Sequence, residues 1–221
     1  MLQSDAIAGS AFYTRTALFI YDYSVLWFSN RFVWQCPTPH LLTFYNQHLT
    51  DRHLDIGVGT GYFLGHGMFP SSKPQITLID LNRNSLSTAA KRIARYSPAM
   101  CLANILEPLP LALDQQFTSM GMGYLLHCLP RPMGEKFPQV LQHILPFLAN
   151  DGVVFGATIL GSPRPTGLAA TFMRTYNQKR IFSNIDDSYE GLEEVLRNHF
   201  YTVSLSQIGH VGLFAGWHKR V

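Results

Sequence analysis

His53-Leu54-Asp55-Ile56-Gly57-Val58-Gly59-Thr60-Gly61 is the stretch on which the reading of this chain turns. Leu54 and Ile56 alternate with Asp55, as at the end of a buried strand. Glycines then occupy every second position, at Gly57, Gly59 and Gly61. Only glycine lets a backbone turn tightly while lying against a ligand with no side chain between them. A second run of strand character, Gln75-Ile76-Thr77-Leu78-Ile79, ends on Asp80. An acid at the tip of a second strand is where a nucleotide's ribose hydroxyl pair is held.

The spacing separates one cofactor class from another. A dinucleotide fingerprint, G-x-G-x-x-G, begun at Gly57 would need a glycine where Tyr62 stands. The run is instead D-x-G-x-G-x-G, with its acid inside the strand. Nothing in it is arranged to hold a diphosphate at a helix N-terminus. Asp55 offers an anionic environment suited to a ligand with an ammonium and a sulfonium. A tight strand–helix turn in another α/β protein, or a nicotinamide fold with a drifted fingerprint, are the competing readings.

The stretch resembles motif I of the class I S-adenosylmethionine (SAM)-dependent methyltransferases, small-molecule type, and Asp80 matches their ribose-binding acid. The resemblance covers roughly residues 38 to 221 and implies SAM as cofactor. It also implies an α/β, Rossmann-like fold: a seven-stranded, mostly parallel sheet with an antiparallel last strand, plus an N-terminal helical cap. The cofactor contacts it implies are Asp55, Gly57, Gly59, Gly61, Asp80 and Leu81, with Met122 before the turn after the fourth strand. Where the family often places an acid near the adenine amino group, this chain has Asn104, followed by Ile105. An amide oxygen there can still accept from the adenine amino hydrogens.

The order of elements along the chain agrees. Strand one is read at His53 to Ile56 and a short helix from Tyr62 to about Met68. After strand two, Asn82-Arg83-Asn84-Ser85 offers N-cap oxygens to a helix whose Leu86, Ala89, Ala90 and Ile93 share one face. Strands three and four are expected at Ala99 to Ala103 and Phe117 to Met122. A helix over Glu135 to Leu148 is stopped by Asn150-Asp151-Gly152, and strand five follows from Val153 to Leu160. Helices near Leu168 to Tyr176 and Ser188 to His199 precede two β-runs, Tyr201 to Gln207 and Val211 to His218. Strands alternating with helices predict a parallel sheet with right-handed crossovers and a ligand at the strands' carboxyl ends.

The first 35 residues are the most aromatic part of the chain. They include Phe12, Tyr13, Phe19, Tyr21, Tyr23, Trp27, Phe28, Phe32 and Trp34. They read as helical and too apolar to stand alone in water. The simplest role is a satellite core, and the functional one is a lid over cofactor and acceptor. The single methyltransferase domain is expected to span 1–221, with 1–37 as cap and 38–221 as core. The Tyr21-Asp22 pair resembles a Tyr-Asp pair in which the tyrosine reaches toward the cofactor.

Bulk properties exclude several classes. The 221 residues suffice for a sizeable core, 47% are hydrophobic and 14% charged, and the net charge is +3. That charge is too small and scattered to argue for nucleic acid or a membrane surface. No run approaches the roughly 18 apolar residues of a membrane span. Cys36, Cys101 and Cys128 are odd in number and widely spaced, which argues against a disulfide framework and for the reducing cytoplasm. No Cys/His set has zinc spacing, so no metal is expected. The expected partner is a small-molecule substrate, and a homodimer is compatible with the sequence.

Methyl transfer from a sulfonium is an in-line displacement that asks the protein for alignment, water exclusion and, where needed, a base. After the fourth strand the chain reads Gly121-Met122-Gly123-Tyr124-Leu125-Leu126-His127-Cys128-Leu129-Pro130. The Asn/Asp-Pro-Pro-Tyr/Phe motif of enzymes that methylate adenine or glutamine amides is absent. His127 is a candidate general base, or else a structural histidine holding the loop. Tyr21 is the candidate contact from the cap. Cys128 reads as a small buried hydrophobe.

The leading expectation is a SAM-dependent methyltransferase acting on a small, fairly apolar molecule, in secondary metabolism. One alternative is a protein of this fold that binds SAM but catalyses a cyclisation or rearrangement. Another is a non-catalytic partner subunit, against which the intact glycines and acids argue.

Overall fold

The structure, a computed structural model, describes residues 22–112, 114 and 116–220. Its centre is a seven-stranded sheet in the order β3-β2-β1-β4-β5-β7-β6. The strands are β1 (Arg52–Ile56), β2 (Gln75–Asp80), β3 (Ala99–Leu102), β4 (Phe117–Gly123), β5 (Leu148–Ile159), β6 (Phe200–Ile208) and β7 (Val211–Lys219). β7 runs antiparallel to both β5 and β6, and the pairings from β3 through to β5 are parallel. The reversed strand is therefore the last in sequence, inserted one place from the sheet edge.

Period-two alternation divides β1 between two cores. Leu54 and Ile56 face one side with Met120, Met122 and Val154. There they meet α4 (Met133–Ile144) through Phe137, Val140 and Leu141, and α6 (Tyr189–His199) through Leu192 and Leu196. The opposite face packs Leu78, Val153 and Phe155 against Tyr45 of α1 (Thr38–His48), Leu64 of α2 (Tyr62–Gly65) and Leu86 and Ala89 of α3 (Arg83–Arg92). A third cluster joins Val33, Trp34 and Cys36 to Ala157, Ile159, Val211 and Leu213 of the sheet, and to Ala169 and Met173 of α5 (Gly167–Gln178). Val33 ends a π-type helix, Asp22–Val33. The Trp34 carbonyl accepts from the His210 N–H at 2.9 Å, pinning the segment to the β6–β7 turn.

The largest departures from the expected boundaries lie around the fifth strand. The helix expected to reach Leu148 ends at Ile144, because Pro146 has no N–H with which to continue the ladder. β5 then begins at Leu148 and runs through Asn150-Asp151-Gly152, where a stop was expected. An irregularity absorbs these residues: Phe117 pairs with Leu148, but Ser119 pairs with Val153. The N-cap reading of Asn82 matches the structure: its side chain accepts from the N–H groups of Asn84 and Ser85 at 2.8 and 3.3 Å.

Candidate cofactor cleft and its surroundings

The β1–α2 turn is built from left-handed backbone. Gly57, Gly59 and Gly61 have φ of +70, +52 and +69°. The three serve different ends. A Cβ on Gly57 would lie 2.7 Å from Leu125 Cδ1, and one on Gly61 would lie 2.8 Å from Ala89 Cα and Cβ. Gly57 and Gly61 therefore let the turn close on the β4 loop and on α3. A Cβ on Gly59 would meet no protein atom within 4 Å, because it would point into open space. That space is a cleft lined by Gly57, Gly59, Thr60, Asp80, Leu81, Ser85, Asn104, Ile105, Gly123, Tyr124 and Leu125, among others. It sits at the carboxyl ends of the parallel strands, beside the point where strand order reverses.

Asp80 stands at the tip of β2. Its Oδ1 accepts from the Asn82 N–H at 2.8 Å and its Oδ2 from the Gly59 N–H at 3.4 Å. Burial pushes its carboxyl up to about 6, against these N–H groups, which pull it down, while the charge of Asp55 adds to the rise. Asn104 holds the next loop: its Oδ1 accepts from the Leu106 N–H at 3.1 Å and its Nδ2 donates to Glu107 at 3.1 Å. One lone pair of the amide oxygen is left for a ligand.

Asp55 lies beneath the turn and outside the cleft lining. Its Oδ2 accepts from the Tyr45 hydroxyl, and His53 Nε2 is 3.4 Å away. His53 Nε2 is 3.1 Å from the same hydroxyl, and its Nδ1 is 2.8 Å from Ser119 Oγ. Gly121 makes room for this group, since a Cβ there would lie 3.1 Å from His53 and 3.3 Å from Asp55. Burial and the Asp55 carboxylate hold the Tyr45 hydroxyl well above its ordinary value, so it stays protonated and donates.

Other expected residues fall elsewhere. Met122 is fully buried in the core on the α4–α6 side, and Gly123, one residue on, lines the cleft. Gly61 supports the turn from behind. His127 is buried and absent from the cleft lining; its Nδ1 accepts from the Ile159 N–H at 3.3 Å and lies 3.5 Å from the Thr158 hydroxyl. Its ring meets Phe182 edge-on at 4.5 Å. Burial, helped by the Lys136 charge, lowers its pKa to about 3, so the ring is neutral. Tyr21 lies outside the described residues.

Sequence reasoning missed Tyr124, which lines the cleft beside Gly123 and Leu125. Its φ is +63°, and its N–H donates to the Ala157 carbonyl at 2.9 Å. No sequence signal marks a tyrosine for left-handed backbone. It also missed the buried pair Lys136–Asp187, 2.6 Å apart. Cys128 lines the cleft, and burial pushes its thiol up to about 12, so it is no nucleophile at neutral pH.

No protein-family model matches the chain. Individual relatives do. The demethylluteothin O-methyltransferase of Streptomyces thioluteus is 39% identical over 218 residues, covering 98% of this chain and 94% of that one. The physcion biosynthesis cluster O-methyltransferase of Aspergillus chevalieri is 39% identical over 208 residues, covering 93% of each. The solved structure of the DhpI–SAH complex has the same fold, with a TM-score of 0.69 over 97% of both chains at 16% identity. The chain belongs to the class I SAM-dependent methyltransferases. The cleft fits SAM as cofactor: the open side of Gly59 gives backbone clearance, and the Asp80 carboxylate is poised to accept from vicinal hydroxyls.

Proposed function

We propose that this chain transfers the methyl group of SAM to a hydroxyl oxygen of a small, fairly apolar secondary metabolite. The observation that carries the reading is the juxtaposition of the Gly59 opening with Asp80 at the mouth of β2, in a chain whose named relatives include O-methyltransferases. Bound SAM supplies an electrophilic methyl on a sulfonium. The chain's own residues do the rest. Asp80 accepts from the ribose hydroxyls, Asn104 and Ile105 border the adenine, and Gly57, Gly59 and Leu81 give the ligand a close backbone bed. Asp55, held by Tyr45 and His53, keeps negative charge under the turn and steadies its shape. Tyr124 and Leu125 close the reaction side and exclude water.

Among the described residues, no histidine lines the cleft. We therefore assign His127 the structural role, and the acceptor is a hydroxyl acidic enough to ionise without a neighbouring imidazole. His127→Ala is expected to lower thermal stability, since it leaves the Ile159 N–H unpaired at a cost of about 1–3 kcal/mol. Turnover of the folded, saturated enzyme is expected to stay within about an order of magnitude, less than the roughly 10²–10⁴-fold loss of a general base. The function itself is tested by incubating the chain with methyl-labelled SAM and a panel of phenolic and enolic acceptors, with mass spectrometry of the products. Transfer of label to oxygen is the expected result. Tight SAM binding with no transfer across the panel, and a rearranged product instead, would support the cyclisation reading. Three free cysteines, Cys36, Cys101 and Cys128, suit a cytoplasmic setting. No helix among the described residues is long and apolar enough to cross a membrane.

A further inference from the structure

A groove of about 750 Å³ opens beside the cofactor cleft. Cys128 lines both, and the chain steps from Ile181 in the cleft to Phe182 in the groove. The floor is apolar, with Pro130, Met173 and Phe182. The rim is cationic. Arg164 comes from the loop after β5, Arg174 from α5, and Arg180 from the loop after α5, and no Asp or Glu among the described residues lines the groove. Three arginines from three segments thus border one concavity, in a chain whose net charge is only +3. Arg164 and Arg174 have no ion-pair partner among the described residues.

The groove has a built wall. The Ser183 N–H donates to the His127 carbonyl at 2.8 Å, Lys136 Nζ donates to the Ser183 carbonyl at 2.7 Å, and Asn184 Nδ2 donates to the Ile159 carbonyl at 2.8 Å. Along α5, Met173 supplies floor and the next residue, Arg174, supplies rim. Volume of this order suits a small organic ligand. A guanidinium with no acid opposite it is matched by a carboxylate, which it grips through two parallel hydrogen bonds.

We propose that this groove seats the methyl acceptor, and that Arg174, with Arg164 and Arg180 on the rim, selects acceptors bearing a carboxylate remote from the methylated hydroxyl. The proposal rests on the methyltransferase reading above and adds the acceptor's charge class to it. An apolar body lies on the Met173–Phe182 floor, its hydroxyl passes Cys128 toward the cleft, and its acid meets the arginines.

The test uses the full chain saturated with S-adenosylhomocysteine, titrated calorimetrically with a hydroxynaphthoic acid, its methyl ester and the parent naphthol. The acid is expected to bind about tenfold more tightly than the two neutral probes, as a charge-assisted pair requires. That advantage should shrink as salt rises to about 0.5 M, because the rim is exposed. R174E should abolish it and R174K should retain part, with S-adenosylhomocysteine affinity unchanged in both. If R174E does not fold, R164E provides the second charge reversal. With methyl-labelled SAM, R174E should raise KM for the acid and change kcat by no more than about twofold. Equal affinity for acid and ester, equal effects of R174E on all three probes, or no binding of any probe to the saturated chain would overturn the groove's role and leave the cofactor reading standing. Failure of the wild-type chain to bind S-adenosylhomocysteine would instead overturn the cofactor reading itself.

Discussion

At the scale of single residues, the three glycines of the turn are separable by experiment. Gly61→Ala forces a Cβ to 2.8 Å from the α3 backbone at a positive φ, so it is expected to cost stability by about 1–3 kcal/mol. Gly59→Ala meets no protein atom and should cost only the left-handed backbone penalty of about 1–2 kcal/mol. Its methyl enters the cleft, so SAM affinity should fall more for Gly59→Ala than for Gly61→Ala. Paired melting and calorimetric titrations check the order; equal affinity losses would remove the clearance role from Gly59. Asp80 gives a pH signature. Its carboxyl titrates near 6 in the ligand-free chain, and ribose hydroxyls bind its ionised form. SAM affinity should therefore hold above pH 6 and fall by up to about tenfold per unit below it. Asp80→Asn should flatten that dependence. The stability sign is opposite. The folded value lies above the unfolded one of about 4, so the contribution of Asp80 to ligand-free stability is fully present below that pH. It is lost as pH rises through about 6.

At the scale of elements, the loop between α5 and α6 depends on one buried ion pair. Lys136 of α4 and Asp187 are 0% and 1% exposed, and Lys136 also donates to the Ser183 carbonyl. Lys136→Met strands a buried carboxylate and is expected to cost about 3–5 kcal/mol in denaturant unfolding. The double variant Lys136→Met with Asp187→Leu should cost clearly less than the single one, because no charge is left unpaired. A double variant as unstable as the single would show that the loop is held by packing alone. The helices themselves were largely legible. Leu86, Ala89 and Ile93 recur at helical spacing behind an Asn82 cap, and the structure buries all three. Lys136 was not legible, since in sequence it reads as a solvated helix position. Only the approach of Asp187, from a loop 51 residues away, makes its burial tolerable.

At the scale of the whole molecule, the described end of the aromatic N-terminal segment is tied to the sheet through Val33, Trp34 and Cys36. Trp34 is 1% exposed and packs with Phe182 at 5.9 Å, while Trp27, Phe28 and Phe32 are exposed at 55, 42 and 50%. We propose that the first 37 residues act as the cap of a single domain; residues 1–21 lie outside the described residues. Deleting residues 1 to 30 is expected to leave exposed apolar surface and to weaken SAM retention, read by calorimetry and by binding of a hydrophobic dye. A soluble truncation with full affinity would make the segment dispensable to the cleft.

The fold class was legible in the sequence because it follows from local rules, and SAM was implied by the resemblance of Asp55 to Gly61 and Asp80 to the methyltransferase motif. A strand followed by three alternating glycines turns tightly, and alternating strands and helices wind into a parallel sheet. Asp80, Leu81, Asn104 and Ile105 reached the cleft because each lies at or just after the carboxyl end of a strand, where the winding alone delivers it. What the sequence left open depends on partners distant along the chain. Whether Met122 or Gly123 faces the ligand is a matter of one residue of strand register. Whether His127 is a base or a brace depends on the Ile159 N–H and Phe182 ring brought against it. The gathering of Arg164, Arg174 and Arg180 exists only once α5 and its flanking loops have folded onto the sheet. Local propensity has no access to contacts of that kind, so tertiary packing alone decided them.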